Sequence, residues 1–246
     1  MVNRLTGAVL KCIKSSEEKA RGERDLHDAD LRHLEGFQFN RLCPLNEALK
    51  VRPTVELDNS NRLKVDIPAF KDVSDLQSPM YSHHCVLRLM LVAVNFREDY
   101  YEYISYIDIE LKNRVLFEGR EWYPEEVLPA GSLAFLSVSL HYFGPSGMAE
   151  APISLNSKEC SPAELLAVFK VPLRGEENTA ESSERIAEAT KRFPLNNYRG
   201  GEILKDLSKL RQQGEKKSAK SVADKTGVTE ASGFVLPKGK IDVGRA

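Results

Sequence analysis

Between Leu49 and Phe143 apolar and polar residues change places at nearly every second position, and this period of two constrains the fold more than any other property of the chain. A strand turns successive side chains to opposite faces, so such alternation marks a ribbon with one buried side. In LKVRPTVELD (49–58) Leu49, Val51, Val55 and Leu57 fall on one side, against Lys50, Arg52, Thr54, Glu56 and Asp58. Pro53 cannot donate to a ladder, which makes this an edge strand. The stretch DNSN supplies a turn, and RLKVDIPAF alternates again with Leu63, Val65, Ile67 and Ala69 inward. Together these segments predict a hairpin turning at Asp58 to Asn61.

The same pattern continues. HCVLRLMLVAVNF sets Cys85, Leu87, Leu89, Leu91 and Ala93 on one face, while the other carries Val86, Met90, Val92 and Val94 with Arg88 among them. Being apolar on both sides, it reads as a central strand, and Arg88 must find a carboxylate or carbonyls or lie at the rim, with Asp108 or Glu110 on a neighbouring strand as its natural partner. YEYISYIDIEL opposes Tyr103, Ile107, Ile109 and Leu111 to Glu102, Tyr106, Asp108 and Glu110. SLAFLSVSLHYF opposes Ala134, Leu136, Val138, Leu140 and Tyr142 to Ser137, Ser139 and His141. LLAVFKVPL (165–173) is a last candidate, readable as a strand or as a short helix. Six or seven strands, with turn-rich connections and few helices between them, predict a mainly β protein: an antiparallel β-sandwich of the immunoglobulin/fibronectin-like class.

Both flanks differ from this middle. Leu5, Val9, Cys12 and Ile13 form one stripe of an N-terminal helix, followed by a charged run from Ser16 to Glu35 that reads as a solvated connector with a turn or two of helix. After Arg174 the chain becomes polar, with two short helices expected in ERIAEATKRF and EILKDLSKLRQQ, a flexible charged stretch, and a small hairpin in GFVLPKGKIDVG. The expected organisation is therefore 1–35 helix and connector, 36–173 sandwich, and 174–246 a helical and flexible basic extension. The extension from Arg199 carries 11 basic and 6 acidic residues, whereas Asn95 to Val127 carries 4 basic and 9 acidic. The opposite signs suggest a tail that folds back or reaches a second copy.

The stretch YSHHC (81–85) invites a metal reading. Alternation places His83 and Cys85 on one face and His84 on the other, and no further ligand stands at a recognisable spacing, so no metal site and no cofactor are expected. The four cysteines are scattered without CxxC, which fits reduced thiols, and with a formal net charge of −1 nucleic acid is not an expected partner. No nucleophile, phosphate-binding or dinucleotide signature occurs, and His141 and Ser139, two apart on a strand, are taken as about 7 Å distant and out of reach. No catalytic residues are assigned. The stretch offers neither a secretory leader nor about 20 unbroken apolar residues for a membrane helix, so a cytoplasmic protein is expected. Tyr101, Tyr106, Trp122 and Tyr123 remain as a surface for a ligand or partner, since such side chains offer large amphipathic area.

RGERDLHDADLRHLEGFQFN (21–40), VDIPAF (65–70) and LPAGSLAFLSVSLHYF (128–143) together resemble a family of Bacteroidota proteins in which a helical lead and an LEGFxFN-like segment precede a β-rich domain. The resemblance covers about residues 3 to 145 and implies no activity. LPAGS is also similar to the E–F corner of immunoglobulin-like sandwiches, except that Ala134 or Phe135 stands where a tyrosine would anchor it. The expected role is a non-enzymatic module for protein–protein contact or assembly, with a protein partner or a second copy bound through the terminal elements. The alternative is carbohydrate binding or processing through the tyrosine-rich acidic region.

Overall fold

The structure, a computed structural model, describes residues 2–16, 19–20, 22–146, 151–173, 192–195, 205–206 and 209. They fall in two units, Met1–Gly201 and Glu202–Ala246. In the second, Lys205, Asp206 and Lys209 are helical, and the Lys209 ammonium lies 3.5 Å from Asp206 one turn away. The expected hairpin GFVLPKGKIDVG lies outside the described residues, as does most of ERIAEATKRF.

The first unit opens with helix α1 (Val2–Ser15), a 3-10 turn (Leu31–His33), strand β1 (Phe37–Gln38) and a single helical turn α2 (Leu45–Ala48). Strands β2 (Thr54–Leu57) and β3 (Leu63–Ile67) precede β4 (His84–Asn95) and β5 (Tyr100–Lys112). Then follow β6 (Arg120–Trp122), β7 (Leu133–Gly144), β8 (Ile153–Ser154), β9 (Ala163–Lys170) and β10 (Arg192–Pro194). Among the described residues these make two antiparallel sheets. The main sheet runs β1-β9-β7-β4-β5-β10, with β8 attached to β7, and the small one runs β2-β3-β6. The protein is thus mainly β and two-layered, the class the alternation implies, and no described helix is long and apolar enough to cross a membrane.

Alternation dictates how the layers meet. Leu63, Val65 and Ile67 of β3 and Trp122 of β6 turn inward against Cys85, Leu87, Leu89, Leu91 and Ala93 of β4 and Leu136, Val138, Leu140 and Tyr142 of β7, all buried in one core. β4 is the central strand, fully paired with β5 and β7. The hairpin β2–β3 pairs Leu57 with Leu63, and its turn is fixed by Asp58, whose carboxylate accepts the backbone N–H groups of Ser60 at 2.8 Å and Arg62 at 2.7 Å. The first strand is shorter than expected. Residues 49–53 carry only an isolated bridge from Leu49 to Leu76, because Pro53 interrupts the ladder and Leu45–Ala48 coil into α2. The segment 163–170 is a strand rather than a helix. Its buried Glu164 accepts a hydrogen bond from Gln38 and lies 2.8 Å from the Arg52 guanidinium, so the charge is paired.

The corner after Leu128 is tight. Gly131 has φ 74°, a conformation that L side chains rarely adopt, so glycine is favoured there by the backbone itself. Ser132 closes the turn by donating its hydroxyl to the Pro129 carbonyl at 2.7 Å, in a corner that lacks the anchoring tyrosine.

The charged run 16–35 corrects the expectation of a solvated connector. Leu26, Ala29, Leu31 and Leu34 are buried with Cys12 of α1 against Leu133, Leu165 and Val168, forming a second core on the far side of the main sheet. Its charges are used as clamps. Arg97, in the β4–β5 turn, donates to Asp25 at 2.6 Å and Asp28 at 2.8 Å, and Lys19 donates to Asp28 at 2.7 Å. Burial would raise the Asp28 carboxyl, but hydrogen bonds with Lys19, Asp25 and Arg97 outweigh it and hold it at about 2. His27 accepts the Phe96 N–H at Nε2 (3.1 Å), which fixes the ring as neutral with its proton on Nδ1.

Candidate functional site: the open face of the main sheet

The second core covers only one end of the outer face of the main sheet. On the remainder, β4 and β5 bring up Arg88, Met90, Asp108, Tyr101, Tyr103 and Tyr106, and β7 adds Ser137, Ser139 and His141. Tyr106 is 64% exposed, Tyr103 55% and Met90 37%. A β-bulge creates this face. Leu91 pairs with Ser105 but Val92 pairs with Tyr103, so Ile104 is the extra residue and points into the core. The period-two reading of β5 placed Tyr103 inward. The bulge shifts the phase and aligns Tyr101, Tyr103 and Tyr106 on one outward stripe.

Arg88 takes the first of the two carboxylates its position made natural partners. Its Nε and Nη2 donate to the two oxygens of Asp108 across the β4–β5 ladder, at 2.7 and 2.6 Å. Its guanidinium carbon also lies 5.6 Å from the centre of the Tyr106 ring. This bidentate hydrogen bond, working against modest burial, holds the Asp108 carboxyl below its ordinary range. Tyr101 packs edge-on to Tyr103 at 5.7 Å and is stacked by Phe193 of β10 at 5.4 Å. Phe193 and Arg192 were expected in a helix. Instead they form β10, which pairs with Tyr100–Glu102 and leaves Tyr103–Lys112 of β5 without a strand partner on that side among the described residues.

Ser139 and His141 also depart from expectation. Their side chains lean together, and Oγ lies 3.0 Å from Nε2 despite the strand spacing of their Cα atoms. Burial, then the nearby Arg88 charge, lowers the His141 imidazole, with Asp108 opposing. Both oxygens of Asp108 accept from Arg88, so the carboxylate that would orient the ring is engaged elsewhere.

The four aromatic residues singled out by the sequence separate. Tyr101 and Tyr106 lie on the open face. Trp122 is 8% exposed and belongs to the main core, because it pairs with Val65 on the inner side of the small sheet. This removes it from the proposed surface. Tyr123 is 57% exposed beside the solvent side of the small sheet, its hydroxyl donated to Glu121 at 2.7 Å and Lys64 over its ring. The YSHHC stretch resolves as Cys85 in the core, its thiol pushed up to about 12 by burial, and His84 stacked on Phe143 at 5.2 Å. Among the described residues no group of His, Cys, Asp and Glu is arranged to hold a metal ion.

A cleft of about 670 Å³ lies between Ser15–Ser16, Asp28–Arg32 and Val168–Lys170. Its Asp30 is paired with Arg32 and its Asp28 with Lys19 and Arg97, so its carboxylates are already satisfied. No protein-family model matches the chain, nor does any curated protein or solved structure.

Proposed function

We propose that the chain is a non-enzymatic interaction module that binds a protein partner, or a second copy of itself, through the open outer face of its main sheet. The carrying observation is the uncovered stripe of Met90, Tyr103 and Tyr106 beside the Arg88–Asp108 pair. Tyrosine, methionine and arginine are the residues protein interfaces concentrate, and an array on a rigid sheet loses little conformational entropy on contact. The cytoplasmic setting belongs to this proposal.

The same stripe favours protein over carbohydrate. Sugars stack on open ring faces, yet one face of Tyr101 is taken by Phe193 and the Tyr106 ring already has Arg88 beside it. Trp122, the strongest stacking residue, is buried. The terminal helix contributes differently from expectation, since its apolar stripe is spent on the chain's own second core.

The test places a photocrosslinking amino acid at Tyr106 and, separately, at Tyr123 on the other sheet, with light scattering of the purified protein alongside. A protein adduct from position 106 and none from 123, or self-association abolished by Tyr106→Ala, is the expected result. A strict monomer without an adduct at 106 removes the reading, and glycan-array binding lost in Tyr106→Ala would install the carbohydrate alternative in its place.

A further inference from the structure

The β1–β9 ladder pairs Phe37 with Leu165 and Gln38 with Glu164, and the Phe39 N–H continues it to the Ala163 carbonyl at 2.8 Å. The two segments stay joined beyond it, because the Asn40 side chain donates to the Lys158 carbonyl at 2.9 Å. A tight turn in which Ser157 and Cys160 exchange backbone hydrogen bonds, at 3.3 and 3.1 Å, then fixes the backbone at Cys160. Cys43 and Cys160 are thereby brought side by side, although 116 residues of sequence lie between them. Both are free thiols and half-buried, unlike Cys12 and Cys85, which are fully buried.

We propose that Cys43 and Cys160 form a redox modification site, in which oxidation joins them by a disulfide that clasps the segment after β1 to the segment before β9. The contact suits a bridge, since the two side chains stand within hydrogen-bonding reach of each other and a disulfide joins only cysteines as close as that. The oxidant is a low-molecular-weight disulfide. Burial and then the neighbouring Cys43 raise the Cys160 thiol to about 11, so Cys160 keeps its proton at neutral pH and is a poor first nucleophile; the proposed reaction starts at Cys43. The Cys43 thiolate displaces one thiolate from the small disulfide and forms a mixed disulfide. Cys160 then gives up its proton to solvent, attacks the Cys43 sulfur and expels the second small thiolate. Two protein thiols are oxidised, one small disulfide is reduced to two thiols, and nothing else is consumed.

The test treats the full chain, natively folded, with excess oxidised glutathione, followed by peptide mapping without reductant. The expected product is one bridged peptide pair containing Cys43 and Cys160, lighter by two hydrogens than the separate peptides. Cys12 and Cys85 should stay unmodified, and the melting temperature should rise by several degrees as the long loop is closed. In Cys43→Ser no bridge forms and the rise disappears, while Cys160→Ser is trapped as the mixed disulfide at Cys43. Separate glutathione adducts on Cys43 and Cys160 in the unmutated chain, a bridge to another cysteine, or no reaction at all would overturn the proposal.

Discussion

The two faces of the main sheet are built from neighbouring residues and behave oppositely. Leu87, Leu89 and Leu91 of β4 are wholly buried under the small sheet, whereas Arg88 and Met90, one position away, stand on a face that α1 and the connector cover only at one end. A buried leucine contributes roughly 2–3 kcal/mol through area removed from water, whereas an exposed pair such as Arg88–Asp108 is worth about 1 kcal/mol at most. Stability therefore resides on the inner face, and the outer one is left free to specify contacts. The second core is intermediate: apolar residues pack there too, but the connector is also held by ions at its rim.

The contrast breaks most directly at Leu89. Leu89→Ala should cost about 3 kcal/mol in urea unfolding, a large-to-small change at a site with no exposure. Arg97→Ala comes next, at roughly 1–2 kcal/mol, because it strips Asp25 and Asp28 of their shared donor; the loss should show as faster hydrogen exchange in residues 22–34 while β4 stays protected. A smaller effect is expected with pH. Burial, then Arg97, lowers the His27 imidazole from its ordinary 6.5, against the opposing charges of Asp25 and Asp28 and with Lys170 adding to Arg97. The neutral ring is therefore the folded form. The unfolded chain takes up the proton at higher pH, so this contribution is intact above 6.5 and is lost as the pH falls below it toward the lowered native value. His141 acts in the same direction, and thermal melts from pH 7.5 to 5 should show falling stability, shallower in His27→Gln. Met90→Ala should come last, within about 0.5 kcal/mol. A loss there as large as that at Leu89 would mean that the open face is a core after all.

Much of the inner face was legible because burial on one side of a strand leaves a periodic trace. Leu63, Val65, Ile67, Cys85 to Ala93 and Ala134 to Tyr142 were readable from alternation alone, as was a carboxylate on the neighbouring strand as the natural partner of Arg88. The connector was not, because Leu26, Ala29, Leu31 and Leu34 are spaced neither for a strand nor for a long helix, and its charges resemble a solvated surface until Arg97 is placed beside them. The shortened first strand was half legible, through Pro53. Trp122 was misjudged because a short strand of three residues carries too few positions to establish a phase. Tyr103 was missed because the bulge leaves no mark in composition, and the contact of Ser139 with His141 because distances between Cα atoms do not fix those between flexible tips.

The surplus residue at Ile104 has a wider consequence. Were Ile104 taken into the regular alternation instead, Tyr101 and Tyr103 would rotate inward while Glu102 turned out, without altering any letter of the chain. What the sheet presents to its surroundings is therefore set by where β5 takes its bulge as well as by a choice of side chains, and smoothing that irregularity would erase the aromatic row as effectively as mutating it.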